Sequence, residues 1–324
     1  MPVSQASTSS KGFKAKFVAW LQLARLSNAP TVITNVFAGA ALAGFNISSP
    51  EVLVTAGWVC LLYFAGMILN DVCDLRVDRR ERPDRPLVQG IVSPVAAALV
   101  VVLLSVAACV GLWHVSDGAA LLPALVLVGL ITLYDVWHKT NPVSAIVMGA
   151  CRAMVYVVAF TVFESLNVPR LILPCVLMVI YVAGITLLAR NEAQNKPMLW
   201  PVLLLFVPVL YPWISAWGPA GVGSGVADWW ITLIAVGVFV VWTLIALRPI
   251  LGKGPVHVGR TIGRLLAGIT LLDGIVVASL CEWTFASGDD GVSLAMGVVA
   301  LSPLIACVLM FTLTTVLQRR IQAS

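Results

Sequence analysis

The sequence predicts an all-α integral membrane protein, a polytopic bundle of nine to ten transmembrane helices. Of its 324 residues, 60% are hydrophobic and 11% are charged, and the mean hydropathy is +0.98. Soluble globular proteins carry about 25% charged residues, so the composition excludes that class. The hydrophobic residues also come in runs long enough to cross a hydrocarbon core about 30 Å thick.

Ten such runs follow one another along the chain. Each has about the length that a membrane-spanning helix requires, roughly 17 to 25 residues. They are separated by segments that contain proline, glycine or charged residues. The predicted limits are 28–45, 52–70, 92–113, 118–136, 142–163, 169–189, 198–217, 228–247, 261–281 and 291–317.

The basic residues of the connections predict how these spans are oriented, because Lys and Arg accumulate in short cytoplasmic loops. If the N-terminus is placed in the cytoplasm, every basic residue except Arg152 and Arg170 falls on the cytoplasmic side of the membrane. Arg152 lies within a span and Arg170 falls outside. We therefore expect both chain termini to be cytoplasmic.

The chain is expected to form one domain. Residues 1–16 are a polar and basic tail that we expect to be disordered, and residues 17–324 are predicted to be a single transmembrane helical domain without internal repeats. The cytoplasmic loops account for the net charge of +5. The expected surroundings are therefore a lipid bilayer, and no nucleic-acid partner is implied.

The connection after the second span is far more charged than the others. The segment N70-DVCDLRVDRRERPDRP-86 holds ten of the 20 basic and 15 acidic residues of the chain. If the second span continues as a helix into the cytoplasm, Asn70, Asp74 and Asp78 recur every four residues and share one face, with Asp71 beside them. Carboxylates crowded on one face repel one another unless a cation neutralises them. Oxygen ligands without His or paired Cys favour magnesium over zinc.

Magnesium readily bridges carboxylates to a phosphate or a diphosphate, so the same segment is a candidate phosphate-binding site. A guanidinium group can bind two phosphate oxygens at once. The alternative is a solvated loop in which acids and arginines pair with one another, but acids at the end of a membrane span favour a functional site. The arginines of this segment are Arg76, Arg79, Arg80, Arg82 and Arg85.

Polar residues within the spans form a second group of candidates. Asn28, Thr31 and Asn35 share one face of the first span, which faces either a cavity or neighbouring helices through hydrogen bonds. Arg152 and Asp273 lie deep in the fifth and ninth spans, where an isolated charge costs at least about 2.5–3.5 kcal/mol. We expect these two to pair, either as a structural pin between the spans or as a substrate-binding arginine that the aspartate orients.

Several of these segments resemble the UbiA superfamily of intramembrane prenyltransferases. NDVCDLRVD, residues 70–78, matches the superfamily signature NDxxDxxxD, and RPDRPLVQGIVS, residues 82–93, resembles its downstream RPLPxGxxS-like segment. The resemblance covers nearly the whole chain and looks closest to the EboC-like branch. Its other parts are ARLSNAPTVITNVFAGAAL in the first span, YDVWHK after the fourth, GACRAMVY in the fifth and LLDG in the ninth.

The resemblance implies a helical bundle around a central cavity. Magnesium and an isoprenyl diphosphate would lie at the cytoplasmic mouth, with the prenyl tail between the helices. Loss of diphosphate would leave an allylic cation, which a hydrophobic acceptor, usually an aromatic ring, would capture.

The motifs and the polar residues of the spans together define the candidate site. The expected metal ligands are Asn70, Asp74 and Asp78. The expected catalytic residues are Asn70, Asp71, Asp74, Asp78, Lys139 and Arg152. The expected substrate-binding residues are Asn28, Thr31, Asn35, Arg82, Arg85, Tyr134, Arg190, Asn191, Glu192 and Asp273.

Two segments depart from the superfamily pattern. Members normally carry a second aspartate-rich motif after the sixth span, but this chain has A189-RNEAQNKP-197 there, with Glu192 as its one acid. A second metal site is therefore expected to be weak or altered, because affinity depends on the number and charge of the ligands. The YxxxK motif is also altered, because Lys139 follows Tyr134 one residue late. His138 is either a water-exposed loop residue or the residue that takes the place of the lysine.

The sequence thus supports one leading function and one alternative. The leading function is magnesium-dependent transfer of an isoprenyl group from an isoprenyl diphosphate to an unidentified acceptor, aromatic or lipid-like. The alternative is a non-catalytic protein that binds or transports a lipid-like molecule or a secondary-metabolite precursor across the membrane, as the missing second motif permits. A conventional secondary transporter is less well supported, because neither repeat symmetry nor broken mid-membrane helices are evident.

Overall fold

Regular secondary structure is helical throughout the described part of the chain, with no strand in it. A computed structural model describes the residues given at the end of this paragraph. The predicted tail, 1–16, lies almost wholly outside them. The described residues are 16–47, 49–137, 141, 143–163, 168–190, 199–217, 230–252, 257–286 and 294–320.

Eleven helices in the described residues are numbered in chain order. A short 3-10 turn, Leu26–Asn28, joins the first two, and a 3-10 segment, Trp200–Leu210, leads directly into the eighth. The helices are α1 (16–23), α2 (Ala29–Leu42), α3 (Pro50–Glu81), α4 (Pro94–Val115), α5 (Leu121–Trp137), α6 (Ser144–Val162), α7 (Pro169–Ala189), α8 (Tyr211–Trp217), α9 (Trp230–Leu251), α10 (Val258–Ala286) and α11 (Leu294–Arg320).

Each of the ten predicted spans coincides with a helical segment, which confirms the polytopic helical bundle. Seven helices are long and apolar enough to cross a membrane: α3, α4, α6, α7, α9, α10 and α11. The segments at the first, fourth and seventh predicted spans are shorter, with 14 residues in α2 and 17 in α5. The count of nine to ten spans therefore stays a prediction.

Helix α2 lies at the centre of the bundle. Twelve of its 14 residues are buried, and it packs against α3, α6, α10 and α11. A small residue permits the closest of these contacts, because a Cβ atom added to Gly39 would lie 2.7 Å from the Cβ of Ala159 on α6. Polar residues of α2 therefore face other helices rather than lipid, and must find partners inside the bundle.

Two apolar clusters pack on either side of α2 and α6. One joins them to α7, α9 and α10 around Tyr181 and Phe239, and the other joins them to α3, α4 and α5 around Leu112. The outer helices are apolar on their exposed faces as well, as Leu99 and Leu103 of α4 illustrate with 60% and 67% exposure. So much exposed apolar surface is favourable in lipid and unfavourable in water, which agrees with an integral membrane protein.

Helix α3 is longer than a single membrane crossing requires. Its 32 residues span about 48 Å at 1.5 Å per residue, whereas the hydrocarbon core is about 30 Å thick. Its last turns, 70–81, carry most of the charged segment and are the part in excess of the length that a crossing requires. The helix ends before Pro83, which disfavours helical geometry at Arg82, although the Arg82 N–H still donates to the Asp78 carbonyl at 2.8 Å. The predicted continuation of the second span is confirmed.

Candidate active site

A cavity of about 210 Å³ lies inside the bundle, walled by α2, α3, α5, α6, α7 and α10. It is larger than the cavity of about 150 Å³ that holds benzene in an engineered protein. Most of its wall is apolar, formed by side chains such as Val59, Leu127, Val155 and Leu266. The polar residues that line it are Arg25, Asn28, Tyr63, Tyr134, Asp135, Arg152 and Thr186.

The acidic face of α3 is partly occupied by one arginine. Asp71 and Asp78 are each 6% exposed, and both accept hydrogen bonds from Arg85. Arg85 Nη1 lies 2.7 Å from Asp71 Oδ1 and 2.7 Å from Asp78 Oδ2. Asp74, half-buried, lies between these two acids along the helix. Arg85 therefore forms ion pairs with two of the three aspartates on which the sequence motif depends.

Arg85 reaches back to α3 because the segment after it folds onto the helix. Leu87 and Val92 are buried in a small cluster with Leu23 of α1, which anchors both ends of this turn. Gly90 has a positive φ of 72°, which costs little without a Cβ atom, and the turn closes with the Ile91 N–H donating to the Pro86 carbonyl at 3.0 Å. The sequence RPLVQGIV thus holds the arginine in place.

Asn70 faces a different neighbour, helix α5. Its Nδ2 donates to Asp135 Oδ1 at 3.1 Å, and its Oδ1 accepts from Arg25 Nη2 at 3.4 Å. Asp135 lies near the end of α5, is 5% exposed and lines the cavity. Arg25, in the turn before α2, also contacts Asp71 at 3.4 Å. Burial lowers the pKa of Arg25, but Asp71 raises it, with smaller contributions from Tyr63 and Tyr134. Together they hold the pKa above its ordinary value, so the guanidinium stays charged.

The ligand chemistry of this mouth fits magnesium. Carboxylates from two helices approach each other there, because Asp74 is close enough to Asp135 to interact with it electrostatically, and the Asn70 amide lies beside Asp135. No three His, Cys, Asp or Glu side chains of the described ranges form a ready-made metal cluster. Magnesium retains several waters and needs only one or two protein carboxylates. Asn70, Asp74 and Asp135 can supply these ligands while Arg85 keeps its two acids.

Arg152 lines the deeper part of the cavity. It lies eight residues into α6, about 12 Å from the start of that helix. Its Nη1 donates to Asn35 Oδ1 at 3.3 Å, and its guanidinium carbon lies 5.5 Å from the centre of the Tyr63 ring, a cation–π contact. The Tyr63 hydroxyl donates to the Arg25 carbonyl at 3.1 Å. Tyr63 therefore lies between Arg152 and the charged mouth.

A fully buried carboxylate lies behind Arg152. Asp273 of α10 accepts hydrogen bonds from Thr34 at 2.5 Å, from Tyr156 at 2.5 Å and from Asn35 Nδ2 at 2.9 and 3.0 Å. Arg152 and Asp273 therefore make no direct ion pair within the described residues, so the prediction of direct pairing is wrong in that respect. Asn35 bridges them, because α2 lies between α6 and α10.

A sequence profile of the UbiA prenyltransferase family matches residues 32–261, more than two thirds of the chain. The chain belongs to the UbiA prenyltransferase family. The resemblance that the sequence motifs indicated is thereby confirmed. Its similarity to the EboC-like branch stays a prediction. Membership agrees with a membrane-embedded helical bundle and with the position of the NDxxDxxxD signature at the mouth of the cavity.

Similar proteins include a digeranylgeranylglyceryl phosphate synthase and UbiA homologues. Digeranylgeranylglyceryl phosphate synthase of Methanopyrus kandleri is 39% identical over 83 residues, which span 25% of this chain and 30% of that protein. A solved structure concerned with digeranylgeranylglyceryl phosphate synthase in membranes superposes with a TM-score of 0.54 at 17% identity, covering 83% of this chain and 99% of the other. It shares the fold. A UbiA homologue from Archaeoglobus fulgidus, bound to DMAPP and Mg²⁺, gives a TM-score of 0.46 at 13% identity, with 92% and 98% covered.

The three polar residues of the first span have three different environments in this UbiA protein. Asn28 lines the cavity, and its Oδ1 accepts from Gln318 of α11 at 2.9 Å. Thr31 donates to the Asn28 carbonyl at 2.7 Å, within its own turn. Asn35 bridges Arg152 and Asp273. Asn28 therefore lines the cavity and also bonds to a neighbouring helix, Asn35 bonds only to neighbouring helices, and the Thr31 hydroxyl bonds within its own turn.

The remaining predicted residues are distributed unevenly around the site. Tyr134 lines the cavity next to Asp135. Arg82 follows the end of α3, and Arg190 follows α7 with an exposed side chain. Three predicted residues of the UbiA site lie outside the described residues: Lys139, Asn191 and Glu192.

Sequence reasoning missed Asp135, Arg25, Tyr63 and Tyr156 as members of the site. Asp135 had a visible signal, because an acid next to Tyr134 at the end of an apolar span is unusual. Arg25 is the second residue of the segment ARLSNAP, residues 24–30, and nothing local in the sequence links it to Asn70. Tyr63 and Tyr156 lie in apolar runs, where an aromatic residue gives no hint of a polar partner.

Proposed function

We propose that this UbiA-family protein transfers an isoprenyl group from an isoprenyl diphosphate to a hydrophobic acceptor, at the cytoplasmic side of the membrane and with magnesium. One observation carries the proposal: Asn70 of the signature motif is hydrogen-bonded to Asp135, which lines a largely apolar cavity. A charged mouth above an apolar chamber suits a substrate with a polyanionic head and a hydrocarbon tail.

The residues of the mouth have two roles in holding the diphosphate, metal binding and direct hydrogen bonding. Asn70, Asp74 and Asp135 would hold magnesium, which supplies positive charge for the departing diphosphate when bound. Arg25 and Arg85 have guanidinium groups at the same mouth that can donate to phosphate oxygens. The motif residues Asp71 and Asp78 orient Arg85 for this purpose.

The walls of the cavity protect the reactive intermediate. An allylic cation is captured by the first nucleophile that reaches it, so water must be excluded until the acceptor is bound. Val59, Leu127, Val155 and Leu266 present hydrocarbon surface there, which lowers the local water content.

The proposal is tested with purified protein in lipid vesicles, supplied with a series of radiolabelled prenyl diphosphates and an extract of lipids and small molecules as the acceptor source. We expect magnesium-dependent release of diphosphate and a labelled lipid product. Asp74→Asn should lower the rate about 100-fold, as loss of one group that stabilises transition-state charge does. Asp84→Asn is the matched control, because Asp84 is an exposed carboxylate of the same segment. Turnover that persists in chelator would refute the proposal.

A second candidate function is binding or transport of a lipid-like molecule without chemistry. The observation that favours it is the sequence A189-RNEAQNKP-197, which lacks the second aspartate pair of the superfamily. In the same experiment this function predicts that labelled prenyl lipid is bound or moved across the vesicle membrane while no diphosphate is released with any extract.

A further inference from the structure

We infer that the deep end of the cavity is a binding subsite for an oxyanion, a carboxylate or phosphate group, and that Arg152 is its principal ligand. The identity of the bound molecule rests on the proposed function, under which the oxyanion is a group of the acceptor. The subsite is distinct from the charged mouth, because Tyr63 lies between the two.

Arg152 has hydrogen-bonding capacity that the protein does not use. A guanidinium group has five N–H donors. Within the described residues Arg152 makes one hydrogen bond, to Asn35 Oδ1, and its other close partner is the face of the Tyr63 ring. The side chain is half-buried and lines the cavity. Its remaining donors are therefore available to a molecule bound in the cavity.

The charge of Arg152 also lacks a direct counter-ion in the described part of the chain. The nearest buried acid, Asp273, lies on the far side of Asn35 and already accepts from Thr34, Asn35 and Tyr156. This network orients Asn35, and Asn35 in turn fixes the guanidinium. A cation held in this way inside an apolar bundle is stabilised by an anionic ligand more than by a neutral one.

The geometry of a guanidinium favours an oxyanion over other anions. Its planar N–H groups match the two oxygens of a carboxylate or phosphate, so that two parallel hydrogen bonds form. The wall around Arg152 is hydrocarbon, including Val59 and Val155, so the rest of the ligand must be apolar. The subsite thus selects a compact hydrophobic molecule with one oxyanion.

The distance from the mouth supports two separate anion sites. Tyr63 precedes Asn70 by seven residues on the continuous helix α3, which corresponds to about 10 Å. A diphosphate bound at Asn70 and Asp135 would not reach Arg152 without leaving the mouth. An acceptor with its oxyanion on Arg152 would instead place its body between the two sites, where a reacting atom can meet the prenyl group.

The test compares a naphthalene carboxylate with the neutral carboxamide of the same shape, by calorimetric titration of the detergent-solubilised full chain. We expect the carboxylate to bind about tenfold or more tightly than the carboxamide, as a hydrogen bond to a charged group predicts. Arg152→Gln should abolish this preference, and Arg152→Lys should retain part of it. Equal affinities in the unaltered protein, or a preference that survives Arg152→Gln, would overturn the inference.

Two controls separate the subsite from folding and from the mouth. Arg248→Gln removes a positive charge from an exposed position on α9 and should leave the preference unchanged. Gel filtration and thermal unfolding report whether Arg152→Gln is folded. If it is not, Arg152→Lys is compared with the unaltered protein instead, and its preference for the carboxylate should be reduced. Saturation with magnesium and inorganic pyrophosphate should leave carboxylate binding intact, and competition between the two would overturn the separation of the sites.

The outcome is also distinguishable from failure of the proposed function, because the titration needs no prenyl donor and no turnover. If carboxylate binding depends on Arg152 while no prenyl transfer is found, the subsite stands and the proposed function fails. If transfer is found while the carboxylate and the carboxamide bind equally, the transferase stands and the oxyanion subsite fails.

Discussion

Replacing Asp273 by Asn should destabilise the protein by about 3 kcal/mol. The Asp273 carboxylate is fully buried and accepts from two hydroxyls and one amide. Asn has the same shape but only one acceptor oxygen, so either Thr34 or Tyr156 loses its acceptor, and the bonds that remain lose their charge assistance. A hydrogen bond to a charged group contributes about 1.5–3 kcal/mol, and leaving a buried donor unsatisfied adds to the loss. Native proteins are stable by only about 5–15 kcal/mol, so the effect is large.

The assay is thermal unfolding of the purified protein in detergent, followed by circular dichroism, with Thr243→Val as the matched control. Thr243 is also fully buried, but its hydroxyl donates only to the Phe239 carbonyl of its own helix, at 2.8 Å. Its loss should cost about 1 kcal/mol or less. If Asp273→Asn lowers stability no more than Thr243→Val does, the polar network does not hold α2, α6 and α10 together, and the reasoning is refuted.

Three further predictions follow from close contacts and from the division of the acidic face. Gly149→Ala should destabilise the folded protein by about 1–3 kcal/mol, because the added Cβ would lie 2.5 Å from a carbonyl oxygen of α7. The control, Gly129→Ala on an open face of α5, should stabilise the protein by up to about 1 kcal/mol. Equal shifts in unfolding temperature for the two variants would contradict this prediction. Arg85→Gln should tighten Mn²⁺ binding, measured by electron paramagnetic resonance, because it releases two carboxylates; unchanged affinity would exclude competition between Arg85 and the metal. Asp135→Asn should weaken Mn²⁺ binding about tenfold, because it removes one carboxylate ligand. Asp117→Asn, in an exposed turn, should have no effect on Mn²⁺ affinity. Equal Mn²⁺ affinities in the two variants would show that Asp135 is not a metal ligand.

The spans and the charged helix could be predicted because their signals are local. A run of apolar residues reports its surroundings wherever it packs, and the four-residue spacing of Asn70, Asp74 and Asp78 reports a shared helical face. Arg152 was likewise predicted to face the interior, because a charge in hydrocarbon has no favourable alternative. These inferences required no knowledge of neighbouring helices.

The partners of these residues could not be predicted, because partnership depends on tertiary packing. Nothing near Asn35 in the sequence indicates that it bridges Arg152 and Asp273, which lie more than a hundred residues away. The seventh predicted span contains a 3-10 segment, Trp200–Leu210, in which Pro201 and Pro208 lack the N–H groups of a regular α-helix. Hydropathy detects such a segment but not its hydrogen-bond pattern.

Charge balance at the mouth explains how the site could function without a second aspartate-rich motif. Asp71, Asp74, Asp78 and Asp135 carry four negative charges when ionised, and Arg25 and Arg85 carry two positive charges, so one divalent cation balances the remaining two. Asp74 and Asp135 approach each other from two helices, which is the arrangement needed to hold a cation between helices rather than along one. Under the proposed function, we therefore expect one magnesium ion to bind before the diphosphate arrives. Any further cation would then enter with the diphosphate, whose own oxygens can replace the carboxylates that a second motif normally supplies.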